Sequence, residues 1–374
     1  KKKNQIELRF LSILRIAVYE ILFDYRVPNY AAVSSAVNLS KQFVNKKSAG
    51  FANAVLRKII RRVESNPRWI ENLSLHREWH SLPKWIFDRW SNRFNSKDFK
   101  NLISIINSSP STHIRFDSNR INKEEVMHNL SKNNIITEIS GTLDNFLKVK
   151  TGISRLLSCQ LFSDGLISIQ DPAAGGCVEL LNPMQGEIIL DVCASPGTKT
   201  LMIAEKMKGN GFIFASDISL ERINYGRKDI SRHGYTNIKW IKQNAKSDKF
   251  RMADKILVDA PCTGTGVLAR RPDIRWRRKK EDVSNFSKIQ MDILNNISKY
   301  LKIRGKLVFS TCSIEPEENW GIIKNFLRSN SNFTLSPCNS SLPQSWVNNH
   351  GCLETLPHIN GVDGMFAAKM IRND

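Results

Sequence analysis

Residues 191–200 read Asp-Val-Cys-Ala-Ser-Pro-Gly-Thr-Lys-Thr and join a short apolar run to a segment rich in helix-forming residues. The apolar run, residues 187–190, predicts a buried parallel strand. The segment 200–209 predicts a helix that ends at its glycine. In an open α/β sheet, such a turn lies at the carboxyl ends of the strands, where ligands bind beside a helix N-terminus.

The turn contains Pro196-Gly197, which sharpens the bend and lets the backbone approach a ligand closely. With only one glycine, it lacks the spacing of dinucleotide-binding and phosphate-binding loops. An ordinary strand-to-helix turn without a ligand is therefore the alternative interpretation of this stretch alone.

From Leu166 onward, strand and helix patterns alternate, which predicts a doubly wound parallel sheet. The predicted strands after the first are 211–217, 238–241, 255–259 and 306–311. The predicted helices are 219–233 and 283–301, the second closed by Gly305. Asp217 ends the second strand, where an acid can accept the hydroxyls of a ribose, and Asn244 follows the third.

The chain before residue 166 divides into two further parts. Residues 1–75 carry three amphipathic helical patterns, with a basic turn predicted at 46–50 and a basic face on the third helix. Residues 76–165 carry predicted strands at 113–116 and 145–150 and a helix at 123–129, a small α+β module. The basic face and the module are candidate RNA-contacting surfaces, and plain solvation is the alternative.

The charge balance indicates a nucleic-acid partner. The 374 residues include 56 Lys and Arg against 35 Asp and Glu, a net charge of +21. A surplus of this size is typical of nucleic-acid binders, although a generally basic surface would also explain it. The basic residues are spread along the chain rather than gathered on one amphipathic helix, which disfavours a membrane partner.

The seven cysteines are widely separated, so their spacing predicts neither a zinc site nor a disulfide framework, and no metal is expected. The scattered cysteines indicate a reducing compartment, and no apolar run approaches membrane-spanning length, so a cytoplasmic protein is predicted. A monomer is expected. The chain opens with Lys1-Lys2-Lys3 and no Met, which suggests that upstream residues are missing.

Two of the predicted strands end in cysteine. Asp259-Ala260-Pro261-Cys262 closes the fourth and Ser310-Thr311-Cys312 closes the fifth, so both thiols are expected at the same sheet edge as the 191–199 turn. A single cysteine is usually a small buried hydrophobe, but two at neighbouring strand ends beside a ligand loop point to chemistry.

The segments DVCASPGTKT, DAPCTGTGVLARRPDIRW and STCSIEPEEN resemble the RsmB/Sun-type ribosomal RNA cytosine-5 methyltransferases, which use S-adenosylmethionine. The N-terminal stretch AAVSSAVNLSKQFVNKKSAGFANAVLRKI resembles their NusB-like RNA-binding domain, here shortened at its start. The resemblance covers nearly the whole chain. It implies a Rossmann-like class I S-adenosylmethionine-dependent methyltransferase domain at 166–374, preceded by the helical domain at 1–75 and the small module at 76–165.

The resemblance also implies site residues. Cys312 would be the nucleophile that adds to C6 of a cytosine in 16S ribosomal RNA, and Cys262 would assist product release; an assignment by analogy with DNA cytosine methyltransferases would instead make Cys262 the nucleophile. Asp259 and Lys199 would lie beside them. The cofactor-binding residues would be Cys193, Ala194, Ser195, Pro196, Gly197, Thr198, Lys199, Asp217, Asn244 and Asp259.

The sequence departs from this family at three of these positions. Ser195 and Thr198 stand where Ala and a second Gly are common, and Asn244 stands where Asp is common, so weakened cofactor binding is expected. Cys193 is expected to pack rather than react. The basic segment Arg270, Arg271, Arg275 and Trp276 would suit phosphates and base stacking, and Glu317 and Glu318 are interpreted as structural acids at a helix start.

Two functional alternatives stay open. One is a catalytically silent RNA-binding or assembly factor, against which the intact Cys262, Cys312, Asp259 and Lys199 argue. The other is a methyltransferase acting on tRNA or on a protein. The NusB-like segment favours ribosomal RNA, and amino-methylating enzymes of this fold carry a polar-Pro-Pro-aromatic motif in place of residues 259–262.

Overall fold

The computed structural model describes residues 6–66, 68–74, 77–338 and 341–374. The chain forms two compact units, residues 1–82 and 83–374. The predicted boundary near residue 165 stays an interpretation, because residues 83–165 belong to the same unit as the residues that follow. Within the described ranges, no helix is both long and apolar enough to cross a bilayer.

The first unit is helical, as predicted. It contains α1 (Leu8–Phe23), α2 (Asn29–Phe43), α3 (Lys46–Ser65), α4 (Arg68–Ser74) and a 3₁₀ turn at Arg77–His80. The basic turn predicted at 46–50 is wrong: these residues begin α3, because the side chain of Asn45 accepts a hydrogen bond from the Ser48 N–H at 2.8 Å and caps the helix.

The second unit begins with α5 (Lys84–Arg93) and α6 (Ser96–Ile106), followed by a small antiparallel sheet. The sheet is built from β1 (Thr112–Phe116), β2 (Ile136–Ile139), β3 (Phe146–Thr151) and β4 (Ile167–Ile169), in the order β2-β3-β1-β4. The helices α7 (Lys123–Lys132), α8 (Gln160–Ser163) and α9 (Pro172–Leu181) accompany it. The two strands and the helix predicted here are confirmed, while β2 and β4 were not predicted.

The larger sheet has the order β10-β12-β9-β8-β5-β6-β7, with β11 paired to β12. Its strands are β5 (Ile188–Val192), β6 (Phe212–Asp217), β7 (Ile238–Lys242), β8 (Ala253–Asp259), β9 (Leu301–Thr311), β10 (Phe333–Ser336), β11 (Leu353–Glu354) and β12 (Phe366–Arg372). The helices of this part are α10 (Thr198–Lys206), α11 (Leu220–Ser231), α12 (Ile274–Arg277), α13 (Lys280–Ile297), α14 (Trp320–Ser329) and α15 (Pro357–Asn360).

The parallel part of this sheet has a topological switch point. From β5 the chain proceeds to β6 and β7 on one side and then returns to β8 on the other side of β5. Both faces are covered: Leu190 and Val258 lie in one apolar cluster, while Ile189 and Leu257 lie in the other. Each such fully buried side chain contributes on the order of 2 kcal/mol. Ligands of open α/β sheets bind beyond the carboxyl ends of the strands at a switch point.

Two predictions near β9 are wrong. The helix predicted to run to residue 301 ends at Ile297, and β9 begins at Leu301 after a 3₁₀ turn. Gly305 does not close a helix but lies within β9, where a Cβ would approach the carbonyl oxygens of Lys302 and Asp254 to 2.7 and 2.8 Å. The antiparallel strands β10 to β12 were not predicted, because short strands without clear alternation leave little pattern.

Candidate active site

The 191–200 stretch forms a strand, a tight turn and a helix, as predicted. The strand β5 ends at Val192, and α10 begins at Thr198 directly after Gly197. Gly197 has φ 108°, a conformation that favours glycine, and a Cβ there would meet the Trp240 ring at 3.0 Å. The turn therefore requires glycine at this position.

Asp217 lies beside this turn at the end of β6. Its carboxylate accepts hydrogen bonds from the backbone N–H of Ser195 at 3.3 Å and of Ser219 at 3.0 Å. The guanidinium of Arg222 lies 3.5 Å from the same carboxylate and also donates to the Ser195 carbonyl oxygen. Sequence reasoning missed Arg222, which sits on α11 without a motif of its own.

Unfilled hydrogen-bonding capacity around this turn fits a polar ligand. The Ser195 hydroxyl is buried and has no hydrogen-bond partner among the described residues. The Asp217 carboxylate can accept further hydrogen bonds, since two oxygens offer about four lone-pair sites. Asn244 follows β7, and its side-chain oxygen accepts from the Lys246 N–H at 3.1 Å. The side chain of Asn244 is thus already engaged in a local turn.

The two cysteines at the strand ends meet. Cys262 follows β8 and Cys312 follows β9, and these parallel neighbours are in register at Asp259 and Ser310. The two sulfur atoms lie 3.4 Å apart. Cys262 is only 8% exposed, whereas Cys312 is partly exposed. The two thiols therefore lie in contact at this edge of the sheet, and the Cys312 residue is the more exposed of the two.

Lys199 and Asp259 form an ion pair beside the thiols. The Lys199 Nζ lies 2.7 Å from the Asp259 Oδ2, and the Ser310 hydroxyl donates to the Asp259 Oδ1 at 3.0 Å. The Asp259 side chain keeps 32% of its surface exposed. This pair links the 191–200 turn to the end of β8 and leaves a carboxylate accessible beside the cysteines.

The two thiols differ in proton affinity. The pKa of Cys312 lies below its ordinary value, first because of its hydrogen bond with the Cys262 thiol. Burial and the Asp259 carboxylate oppose this shift, and the Lys199 charge supports it. The same hydrogen bond, together with burial, raises the pKa of Cys262 well above its ordinary value. Burial of Lys199 disfavours its charged form, but the Asp259 carboxylate outweighs this and raises the Lys199 pKa. Cys312 is thus the sulfur that more readily carries negative charge.

Two other cysteines lie close by but are set up differently. Cys193, in the turn, packs against the core, and burial raises the pKa of its thiol. Cys177, on α9, is fully buried, and burial raises its pKa to about 12. Both are neutral packing groups, as expected for Cys193 from the sequence.

The basic segment after Cys262 only partly faces solvent. Arg270 pairs with Asp171 at 2.9 Å and Asp363 at 2.7 Å, and Arg275 is 4% exposed. The interpretation of these two arginines as phosphate contacts is wrong, because folding turns their guanidinium groups toward protein partners. Arg271 is exposed and Trp276 is 64% exposed, so these two stay available to a nucleic acid.

Three acids, Glu315, Glu317 and Glu318, lie in the loop after Cys312, and the last two were expected at the start of a helix. Glu317 and Glu318 instead lie in a 3₁₀ turn, Pro316–Glu318, and α14 begins at Trp320. The Glu315 carboxylate is fully buried and accepts from the Trp90 indole N–H at 2.9 Å and from Arg89. No local sequence signal connects α5 with this loop.

The sheet order and the turn at its switch point define a Rossmann-like fold, with a cysteine pair at the edge of the sheet where ligands bind. Known proteins agree with this fold. The family model described as 16S rRNA methyltransferase RsmB/F matches residues 178–371, and the NusB family model matches residues 1–61. The chain belongs to the RsmB/F family of 16S rRNA methyltransferases.

Relatives and solved structures match over most of their length. The "Probable ribosomal RNA small subunit methyltransferase B" of Synechocystis sp. is 31% identical, covering 96% of this chain and 82% of the relative. The "Ribosomal RNA small subunit methyltransferase B" of Photorhabdus laumondii is also 31% identical, with 96% and 81% covered. A "Methyltransferase Homolog Protein" from Pyrococcus horikoshii superposes with TM-score 0.66 at 26% identity, covering 76% of this chain and 93% of that one.

Proposed function

We propose that this protein transfers a methyl group from S-adenosylmethionine to C5 of a cytosine in small-subunit ribosomal RNA, with Cys312 as the nucleophile and Cys262 as the group that assists release. The observation that carries this proposal is the 3.4 Å contact between the two sulfur atoms at the switch-point edge of the sheet. Packing does not require two thiols in contact. A covalent addition followed by release can use one thiol as the nucleophile and the other to assist release.

The residues around the turn suit the cofactor. The Asp217 carboxylate is placed to accept ribose hydroxyls, and residues 193–198 to line the site. Asp217 is 3% exposed, and the guanidinium of Arg222, whose side chain is 56% exposed, lies 3.5 Å from its carboxylate. When bound, S-adenosylmethionine supplies an electrophilic methyl group carried on a sulfonium sulfur.

The steps assigned to this chain follow from the thiol environment. Cys312 adds as the thiolate to C6 of the cytosine, which makes C5 nucleophilic. The partly exposed Asp259 carboxylate would accept a hydrogen bond from the cytosine edge, with the Lys199 ammonium 2.7 Å from its Oδ2. After methylation, a base from the solvent takes the proton from C5, and the C5–C6 double bond re-forms as the bond between C6 and the Cys312 sulfur breaks. The neighbouring Cys262 thiol stabilises the released Cys312 thiolate by donating a hydrogen bond to it.

The RNA must deliver an unstacked base to this edge, since C6 is inaccessible in a stacked helix. The exposed Arg271 and Trp276 follow the Cys262 loop and suit phosphate contact and stacking. In the other unit, α3 carries a basic face at Arg57, Lys58, Arg61 and Arg62. The names of the curated relatives support ribosomal RNA of the small subunit as the substrate.

The test is methyl transfer from labelled S-adenosylmethionine to deproteinised small-subunit RNA, with bisulfite mapping of 5-methylcytosine in the product. We expect label at C5 of a cytosine. Folded, cofactor-bound protein that transfers no methyl group to any RNA would favour the silent assembly factor. Label in tRNA but not in ribosomal RNA would favour the tRNA enzyme.

A further inference from the structure

Glu318 is a buried acid that the proposed chemistry does not use. Its side chain is fully buried, and none of the ion pairs among the described residues includes it. Burying a carboxylate is costly unless several hydrogen bonds compensate. Burial raises the pKa of Glu318, although hydrogen bonds from Ser313 and Thr263 oppose this. The role of this buried carboxylate is therefore to be found in the groups that it binds.

The Glu318 carboxylate joins the two cysteine loops. One oxygen accepts from the Thr263 backbone N–H at 2.8 Å and from the Gln290 amide at 3.2 Å. The other accepts from the Ser313 hydroxyl at 2.5 Å and from the Thr263 hydroxyl. Thr263 directly follows Cys262, and Ser313 directly follows Cys312. A single carboxylate therefore contacts the residue after each catalytic thiol.

Neighbouring groups fix this carboxylate in turn. Gln290, on α13, also donates to the Pro261 carbonyl oxygen at 2.9 Å, so it holds the residue before Cys262. The Ser313 hydroxyl lies 3.2 Å from the hydroxyls of Thr263 and Thr265 and accepts from the Glu315 N–H at 3.1 Å. The carboxylate is thus the centre of a network in which both loops share partners.

We propose that Glu318 is a positioning residue that sets the Cys262 thiol against the Cys312 sulfur, so that release of the covalent RNA adduct follows its formation. This inference rests on the proposed function. It differs from a general stabilising role, because a loss of stability would lower adduct formation and turnover together. A displaced Cys262 would instead slow release more than formation, and the adduct would accumulate.

The first test compares Glu318→Gln with Glu317→Gln, a control in the same 3₁₀ turn whose side chain is 51% exposed and, among the residues that the structure describes, pairs with Arg89. We expect Glu318→Gln to lower turnover by about 10- to 100-fold, since displacing a reacting group by about 1 Å has effects of this order. The fraction of enzyme bound to RNA on denaturing gels should rise, while cofactor affinity and melting temperature stay near wild type. Glu317→Gln should keep wild-type turnover and adduct level.

Equal losses of adduct and turnover in Glu318→Gln would overturn the positioning role. Glu318→Asp provides a second variant, which keeps the charge but shortens its reach by one methylene group. We expect it to fold and to show the same imbalance between adduct and turnover. If neither variant folds, Glu318 is a structural residue and the inference is wrong.

The second test does not depend on methyl transfer. Diamide accepts two hydrogen atoms from a pair of thiols and leaves a disulfide: one thiolate adds to diamide, and the second then displaces it from the first sulfur. The rate of that second step reports how well Cys262 and Cys312 are held together. Mass spectrometry of the linked peptides measures this rate. We expect Glu318→Gln to slow it by about tenfold because the thiols lose their mutual orientation.

An unchanged oxidation rate in Glu318→Gln would overturn the inference. Wild-type protein that transfers no methyl group, yet shows the expected oxidation difference, would instead remove the proposed function and leave the role of Glu318 in setting the thiol pair.

Discussion

The Cys262 loop and the Cys312 loop each carry a cysteine just after one of two adjacent parallel strands, yet the pKa values of the two thiols are shifted in opposite directions. Cys262 is 8% exposed and its pKa is raised, first by its hydrogen bond to Cys312 and then by burial. Cys312 is partly exposed and its pKa is lowered by that same hydrogen bond. Because both residues are cysteines, the difference between the two thiols comes from the groups around each of them.

The largest expected effect comes from Cys312→Ala. Removing the sulfur removes the covalent step, so turnover should fall by about 1000-fold or more and no covalent RNA adduct should form. Methyl transfer and denaturing gels measure both. Cys338→Ala, at a partly exposed cysteine of the same unit, is the matched control and should keep wild-type turnover. A stable adduct in Cys312→Ala would reverse the assignment of the two loops.

Cys262→Ala should lower turnover by about 100-fold but leave the addition step intact. The adduct with RNA should therefore accumulate and survive denaturing electrophoresis, as a band that disappears on ribonuclease treatment. Formation of this band should require Cys312, which the double variant tests. Full turnover without Cys262 would remove the need for a second thiol in the proposed mechanism.

Lys199→Met should narrow the difference in pKa between the two thiols. The Lys199 cation lowers the pKa of Cys312, so its removal should raise that pKa and shift the pH midpoint of Cys312 alkylation upward. Iodoacetamide labelling followed by mass spectrometry across a pH series gives the midpoint. Turnover near neutral pH should fall about tenfold, with partial recovery at higher pH.

The control for this change is Lys206→Met on the same helix. Lys206 pairs with Glu179 at 2.7 Å and is away from both sulfurs, so the midpoint should stay in place. A Lys199→Met protein whose Cys312 titrates as in wild type would show that the cation does not tune this thiol.

The smallest effects are expected from the supports of the two loops. Trp90→Phe removes the indole donor to Glu315, a fully buried carboxylate behind the Cys312 loop, and should cost about 1–3 kcal/mol of unfolding free energy. Trp85→Phe removes a donor to the Arg278 carbonyl, next to the Cys262 loop, at 3.1 Å. Because that acceptor is neutral and only part-buried, the cost should be about 1 kcal/mol or less.

Urea unfolding measures the loss of unfolding free energy in Trp90→Phe and in Trp85→Phe. A larger loss in Trp85→Phe than in Trp90→Phe would contradict the view that the Cys312 loop rests on a buried charge that must stay hydrogen-bonded. Turnover should fall no more than a few-fold in either variant, since neither indole touches a thiol.

Much of the parallel core was predictable from the sequence because apolar runs and polar strand ends are local patterns. The strand at 187–190, the turn at 191–199 and the positions of Asp217, Cys262 and Cys312 at strand ends all follow from such patterns. The basic segment shows where they fail. Arg270 and Arg275 look like surface cations in the sequence, but their partners lie far from them along the chain. Arg270 pairs with Asp171 and Asp363. Arg275 donates hydrogen bonds to the Asn107 side chain and the Ile106 carbonyl oxygen.

The contacts of Glu318 were likewise not predictable from the local sequence. Its position after Pro316 suggested a helix start, and only folding brings it to Thr263 and Gln290. The end of α13 was misplaced because an amphipathic pattern continued into the buried start of β9. Local periodicity cannot distinguish a buried helix end from a buried strand start.

The amino-acid order by itself determined the strand–turn–helix unit, the basic charge and the placement of a cysteine after each of two strands, because these depend on local pattern and composition. Tertiary structure alone decided that the two sulfurs lie 3.4 Å apart, which thiol is shielded and which acid lies between the loops. The distance between the thiols and their pKa values depend on groups that lie more than 50 residues apart in the chain, such as Thr263 and Glu318. Only tertiary packing brings those groups together.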